Sequence, residues 1–255
     1  MKTLSFYITF HKKIYEDNTK SFHQEHMKHS LKWVAVNEKV EKEYTDYIPP
    51  ECLIKEWEMT IYNPLYQMTN FYQNSVFLHI YWNKLYENSK YIGFAQYDMS
   101  IDAPELLDIE TNSLKDSDSI ICAAFIYHTA ALFNAFLEED WIHMFLIPYN
   151  TFYGKSHSMD LLKTMPVFLL HTFIIPSWFF KDMMPFIEKI IPILLRKLNW
   201  DTRNLAGTLE RVFALCLSCG IIEGKFTTLI QMHGIKTDIP GQREADTLRG
   251  IKKEE

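Results

Sequence analysis

Strand-like and helix-like rhythms alternate along the first hundred residues. Thr3 to Phe10 (TLSFYITF) is β-branched and aromatic and of strand length, which predicts a first strand. Glu16 to Leu31 is polar and reads as helix or partly loop, and Leu31 to Val36 (LKWVAV) returns to a strand pattern. Val40 to Ile48 is charged and is broken by Pro49-Pro50. Leu65 to Glu87 fits one or two helices, with Leu78, Tyr81, Trp82 and Leu85 at helical spacing. Tyr91 to Ala95 (YIGFA) is the next strand. An order of β-α-β-α-β predicts an α/β fold with a largely parallel sheet flanked by helices.

Beyond Asp98 the pattern is less regular. Pro104 to Leu114 reads as loop or a short helix, and Ser119 to Phe125 as a strand. Thr129 to Asp140 has a helix pattern ending in three acids, Trp141 to Pro148 is a short apolar run, and Tyr149 to Ser158 reads as a polar, aromatic loop. Val167 to Ile175 reads as one late strand, and Phe179 to Leu198 and Leu205 to Cys219 as helices. With no internal repeat or low-complexity linker, one domain is expected over residues 1–236, with a polar tail at 237–255.

Composition narrows the function classes. Among 255 residues, 47% are hydrophobic, enough for a sizeable core. The net charge of -6 and the lack of a long basic run argue against a nucleic-acid partner. Met1 to Phe10 is too short for a secretory leader and runs into His11-Lys12-Lys13. Met165 to Phe180 is interrupted by His171 and two prolines, so no membrane-spanning segment is expected and the location is expected to be cytoplasmic. Four cysteines make no disulfide framework, and Cys216-x-x-Cys219 lies in an apolar helical run as small core residues. The steps His23-x-x-His26-x-x-His29 walk around a helix axis, which suits a solvated face better than a metal. Phosphate-binding Gly-rich loops, GxSxG and HExxH are absent.

The candidate chemistry gathers at strand ends. Asp98 ends the Gln96-Tyr97-Asp98 triplet just past the expected Tyr91–Ala95 strand, where open α/β sheets bind ligands. Its carboxylate suits a hard divalent cation. His11-Lys12 close the first strand in the same way. Glu210 borders the buried face of its helix, where an acid needs a partner and gains basicity from partial desolvation. His171 interrupts an apolar strand; it reads as a core histidine or as a residue near an acceptor.

Three segments together resemble a family. They are Ile8-Thr9-Phe10-His11-Lys12, the pair of Tyr81-Trp82-Asn83 and Tyr91-Ile92-Gly93-Phe94-Ala95-Gln96-Tyr97, and Arg203-Asn204-Leu205-Ala206-Gly207-Thr208-Leu209-Glu210-Arg211. The series, spread over Thr3 to Gly220, resembles the capsular and exopolysaccharide glycosyltransferases and their relatives in large DNA viruses. The resemblance implies a single GT-A-like (Rossmann-like) domain. It implies transfer of a sugar from a nucleotide-diphosphate donor, a UDP-sugar, to a glycan hydroxyl, with inversion. A viral chain would act in the host cytoplasm. It further implies Mn2+ or Mg2+ on Asp98 and a late histidine, His233, in place of a full Asp-x-Asp motif. Gln96-Tyr97-Asp98 stands where bacterial members carry His-Tyr-Arg, which moves the site from a cationic phosphate clamp toward a metal-assisted one. Thr9, Phe10, His11, Lys12, Asn83, Gln96, Tyr97 and Asp98 would bind the nucleotide. Glu210, Asp201 or Asp182 would take the acceptor proton, with Glu138, Glu139 and Asp140 as further candidates. The alternative is a non-catalytic glycan- or partner-binding protein on the same fold, using Tyr62, Tyr66, Tyr72, Tyr149 and Tyr153 to stack on sugars. Metal-dependent nucleotide binding separates the two readings.

Overall fold

The computed structural model describes residues 1–11, 29–36, 48–68, 71, 73–127, 141–201 and 204–237. Its elements, in chain order, are β1 (Lys2–Phe10), β2 (Leu31–Ala35), β3 (Leu53–Lys55), α1 (Pro64–Met68), α2 (Gln73–Trp82), β4 (Ser89–Gln96), β5 (Met99–Ile101), α3 (Ala103–Asp108), β6 (Ile120–Ala123), β7 (Ile126–Tyr127), α4 (Ile147–Tyr153), α5 (Met159–Leu162), β8 (Val167–Phe168), β9 (Phe173–Pro176), α6 (Ser177–Lys197), α7 (Leu205–Ile222), β10 (Thr228–Gln231) and β11 (Ile235–Thr237).

Seven strands form one sheet in the order β10-β6-β9-β4-β1-β2-β3. All pairings are parallel except those of β9, which runs antiparallel to β4 and β6. β1 is buried from Leu4 to Phe10, as expected of a central strand covered on both faces. Alternate residues feed two cores. Leu4, Phe6, Ile8 and Phe10 face one side with Trp33 and Tyr91, whereas Tyr7 faces the other with Phe77, Phe94, Phe173 and Phe213. Gly93 makes this packing possible, because a Cβ there would lie 2.3 Å from the Phe6 ring. Burying each such phenylalanine contributes about 1.5–3 kcal/mol.

Two short ribbons flank the sheet, β5 with β11 and β7 with β8. They account for several departures from the sequence pattern. The expected single strand over Val167–Ile175 is split into β8 and β9, because Leu170 (φ 60) and His171 (φ 47) adopt left-handed backbone between them. The expected loop at Tyr149–Ser158 starts as helix α4 and ends at Gly154, whose φ of 63 caps it. Thr237, the first residue of the expected tail, belongs to β11; the rest of the tail and the expected Thr129–Asp140 helix lie outside the described residues. Among the described residues, α7 alone is long and apolar enough to cross a membrane by length and composition, and 67% of it is buried within the protein. Cys52, Cys122, Cys216 and Cys219 are free and buried, and burial pushes the Cys216 and Cys219 thiols up.

Candidate active site

The strand order turns at β1, whose neighbours are β2 on one side and β4 on the other. Ligands of open α/β sheets bind outside the carboxyl ends at such a point. Here the chain has a cleft of about 220 Å³, lined by Thr9, His11, Gln73, Asn74, Gln96, Tyr97, Asp98, His171, Ala206, Gly207 and Glu210.

One wall consists of the two strand ends. Thr9 is in register with Gln96, and the Tyr97 N–H donates to the Thr9 carbonyl at 3.0 Å. The His11 and Tyr97 rings meet edge to face with centroids 4.9 Å apart. Burial, and then the charge of Asp98, holds the Tyr97 phenol above its ordinary value. The facing wall is helical. Gln73 and Asn74 begin α2, and Ala206, Gly207 and Glu210 lie in the first turns of α7. The Asn74 amide ties the two helix starts together, donating to the Phe71 carbonyl at 2.8 Å and the Ala206 carbonyl at 3.4 Å. Between the walls lies the Leu170–His171 turn. Glu210 Oε1 accepts the Leu170 N–H at 3.0 Å, and the Leu170 carbonyl accepts from Gln96 Nε2 at 3.3 Å and Thr172 Oγ1 at 2.9 Å.

Of the residues expected at the site, Thr9, His11, Gln96, Tyr97, Asp98 and Glu210 line this cleft. Others lie elsewhere. Phe10 points to the opposite face, fully buried with its ring 6.4 Å from Trp33, because strand side chains alternate. Asn83 closes the end of α2, exchanging hydrogen bonds with the Ile61 backbone and the His79 carbonyl. Asp182 is exposed on α6 and pairs with Lys225 at 2.8 Å. Asp201 follows α6, its N–H bonded to the Leu198 carbonyl. His233 is exposed at the β5–β11 ribbon, its N–H held by Glu105 Oε1 at 2.7 Å. Thr237 pairs with Met99 and Ile235 with Ile101, so Asp98 and His233 flank opposite ends of this ribbon, roughly 15 Å apart along it. Lys12, Arg203, Glu138, Glu139 and Asp140 lie outside the described residues.

Gln73 and Asn74 were not legible from the sequence as site residues. The one available sign is a polar pair opening an otherwise apolar helix, which most helix starts also show.

Asp98 is one carboxylate that could give an oxygen ligand to a hard divalent cation. Asp98 lines the cleft, and among the described residues no three His, Cys, Asp or Glu side chains are grouped to hold a metal. Such an ion would complete its shell from phosphate oxygens and water, as Mg2+ does in nucleotide sites.

Comparison with known proteins matches this geometry at the level of fold. No protein-family model matches the chain, and no curated protein matches it. Among solved structures, the apo WbbM bifunctional glycosyltransferase aligns over 90% of this chain with a TM-score of 0.59 at 11% identity. The chain spans 45% of that protein, less than half its length. Apo mouse xyloside xylosyltransferase 1 aligns over 91% of this chain and 85% of its own, at 11% identity and a TM-score of 0.39. The fold is a single GT-A-like domain, a mostly parallel seven-stranded sheet flanked by helices.

Proposed function

We propose that the protein is a glycosyltransferase that moves a sugar from a nucleotide-diphosphate donor, a UDP-sugar, to a glycan hydroxyl with inversion, assisted by Mn2+ or Mg2+. The observation that carries this reading is the meeting of Thr9, His11, Gln96, Tyr97, Asp98 and Glu210 around one cleft at the point where the strand order turns. The GT-A-like fold supports it.

In this reading His11 and Tyr97 bind the nucleotide, and their edge-to-face rings offer an aromatic surface to its base. Asp98 would hold the cation, which would supply positive charge to the leaving diphosphate. Glu210 is the acid among the candidate bases that lines the cleft. It takes the proton of the acceptor hydroxyl as that oxygen attacks the sugar. The facing helix starts at α2 and α7 add partial positive charge near the donor. A non-catalytic glycan-binding module would need no nucleotide. The test is release of UDP from a panel of UDP-sugars with Mn2+ present. Turnover with at least one sugar supports the reading, and none with any sugar, alongside no nucleotide binding, contradicts it.

A further inference from the structure

The turn at Leu170–His171 is the most constrained feature of the cleft. Two consecutive non-glycine residues hold positive φ, at 60 and 47, and left-handed backbone costs roughly 1–2 kcal/mol per residue. Such conformations persist where the surroundings over-determine them. Here two of the partners are cleft residues: Glu210 fixes the Leu170 N–H, and Gln96, together with the neighbouring Thr172, fixes its carbonyl. The product of this clamp is the position of one ring. The His171 imidazole packs edge to face against both Phe77 and Phe213, with centroids 4.9 and 5.1 Å away.

The chemistry of that ring is set by its contacts. Gln73 Nε2 donates to His171 Nδ1, so the ring proton resides on Nε2. Burial lowers the His171 pKa to about 3, and the ring is neutral at working pH. Nε2 is covered and has no partner among the described residues, and an unpaired buried donor costs about 1–3 kcal/mol. A second covered atom, Asn74 Oδ1, likewise has no partner, and both residues line the cleft. A neutral donor beside the Glu210 carboxylate is poorly suited to phosphate. A donor and an acceptor without charge suit a hydroxyl, which both accepts and donates.

We infer that His171 is a specificity residue that reads a hydroxyl of the transferred sugar through Nε2–H, with Glu210 and Gln96 acting as positioning residues through Leu170. This rests on the nucleotide-sugar reading and gives the helical end of the cleft to the sugar. The contact requires the cleft wall to uncover Nε2, which is covered in this structure. Glu210 then has two separable roles, since a glutamine at 210 keeps the acceptor for Leu170 but cannot take a proton.

The experiment combines imidazole 15N NMR of the whole protein with binding measurements, using UDP, UDP-glucose, UDP-galactose, UDP-xylose, and free glucose, galactose and xylose as probes. A UDP-sugar should shift the His171 Nε2 resonance where UDP does not, and should bind about tenfold tighter than UDP, equivalent to one good hydrogen bond. His171→Phe and Glu210→Ala should bring that ratio near one, whereas Glu210→Gln should keep it. An unchanged ratio in His171→Phe, or no sugar-dependent shift in the wild type, overturns the inference. The wild-type NMR decides the matter if His171→Phe does not fold. Binding of UDP with no effect of any sugar on His171 defeats this inference alone. A shift with free sugar but no binding of any nucleotide defeats the donor reading and leaves the sugar contact standing.

Discussion

The Tyr97 N–H donates to the Thr9 carbonyl at 3.0 Å, closing the last rung between the central strand and its neighbour. Past that rung the two chains diverge. His11 and Asp98 stand on either branch, and both line the cleft. The relationship brings the His11 and Tyr97 rings and the Asp98 carboxylate to one cleft, and in the proposed function the nucleotide diphosphate would span them.

His11 should matter for the base or phosphates rather than for folding, because it caps the end of β1 and is half-exposed. His11→Ala is expected to weaken UDP binding by about tenfold, the loss of one ring contact and one hydrogen bond. Calorimetric titration checks this, with a thermal melt as the folding control. Wild-type affinity would move the nucleotide off β1.

Glu210→Gln should bind donor near normally and lose transfer by about 10²-fold or more. The amide still accepts the Leu170 N–H, so the turn survives the substitution. UDP release under saturating donor and acceptor measures the effect. Full turnover would reduce Glu210 to its structural contact.

Glu56 and His79 are both fully buried, 2.5 Å apart. His79 Nε2 accepts the Asn63 N–H at 2.9 Å, so Nδ1–H donates to the Glu56 carboxylate. This contact locks the segment after β3 onto α2. Glu56→Ala is expected to cost about 1–3 kcal/mol, since it leaves the buried Nδ1–H of His79 unpaired. Urea denaturation reads the difference, and Glu56→Gln, which can still accept, should cost less.

Acid should destabilise the protein in a defined window. The folded pKa of His171 is depressed to about 3 from an ordinary 6.5. Between these values the unfolded chain binds a proton that the folded one refuses, so stability rises with pH there. It is complete above about pH 6.5 and declines as pH falls toward 3, by up to about 1.4 kcal/mol per pH unit. His171→Phe should flatten that slope in denaturation curves at pH 4 to 7 relative to wild type.

The central fold was legible because β1, β2 and β4 are dense β-branched and aromatic runs, and α6 and α7 keep long apolar faces. β3, β5, β10 and β11 were not, since edge strands of three or four residues carry too few positions to show a period. Strand-end logic placed His11 and Asp98 on the cleft, and the family resemblance added Thr9, Gln96 and Tyr97. The resemblance failed for Asn83, whose side chain serves the local end of α2, a use that an aromatic-aromatic-Asn triplet does not reveal. It also failed to find Gln73 and Asn74, which enter only because tertiary packing brings two helix starts together. His171 showed itself only as a polar break in an apolar run; the backbone turn behind it has little sequence mark, because Leu170 disfavours positive φ and a lone histidine is a weak sign of it.

The most direct measurement is thermal stabilisation by a panel of UDP-sugars, with Mn2+ and with EDTA, for the wild type and for Asp98→Ala and Asp98→Asn. Ligand at a hundred times its Kd adds about 2.7 kcal/mol to the native state. The account predicts that at least one UDP-sugar raises the melting temperature of the wild type only with Mn2+. Asp98→Ala should lose that rise while melting normally without ligand, and Asp98→Asn should lose most of it. A metal-dependent rise that survives in Asp98→Ala, or no rise with any nucleotide sugar in the wild type, would contradict it.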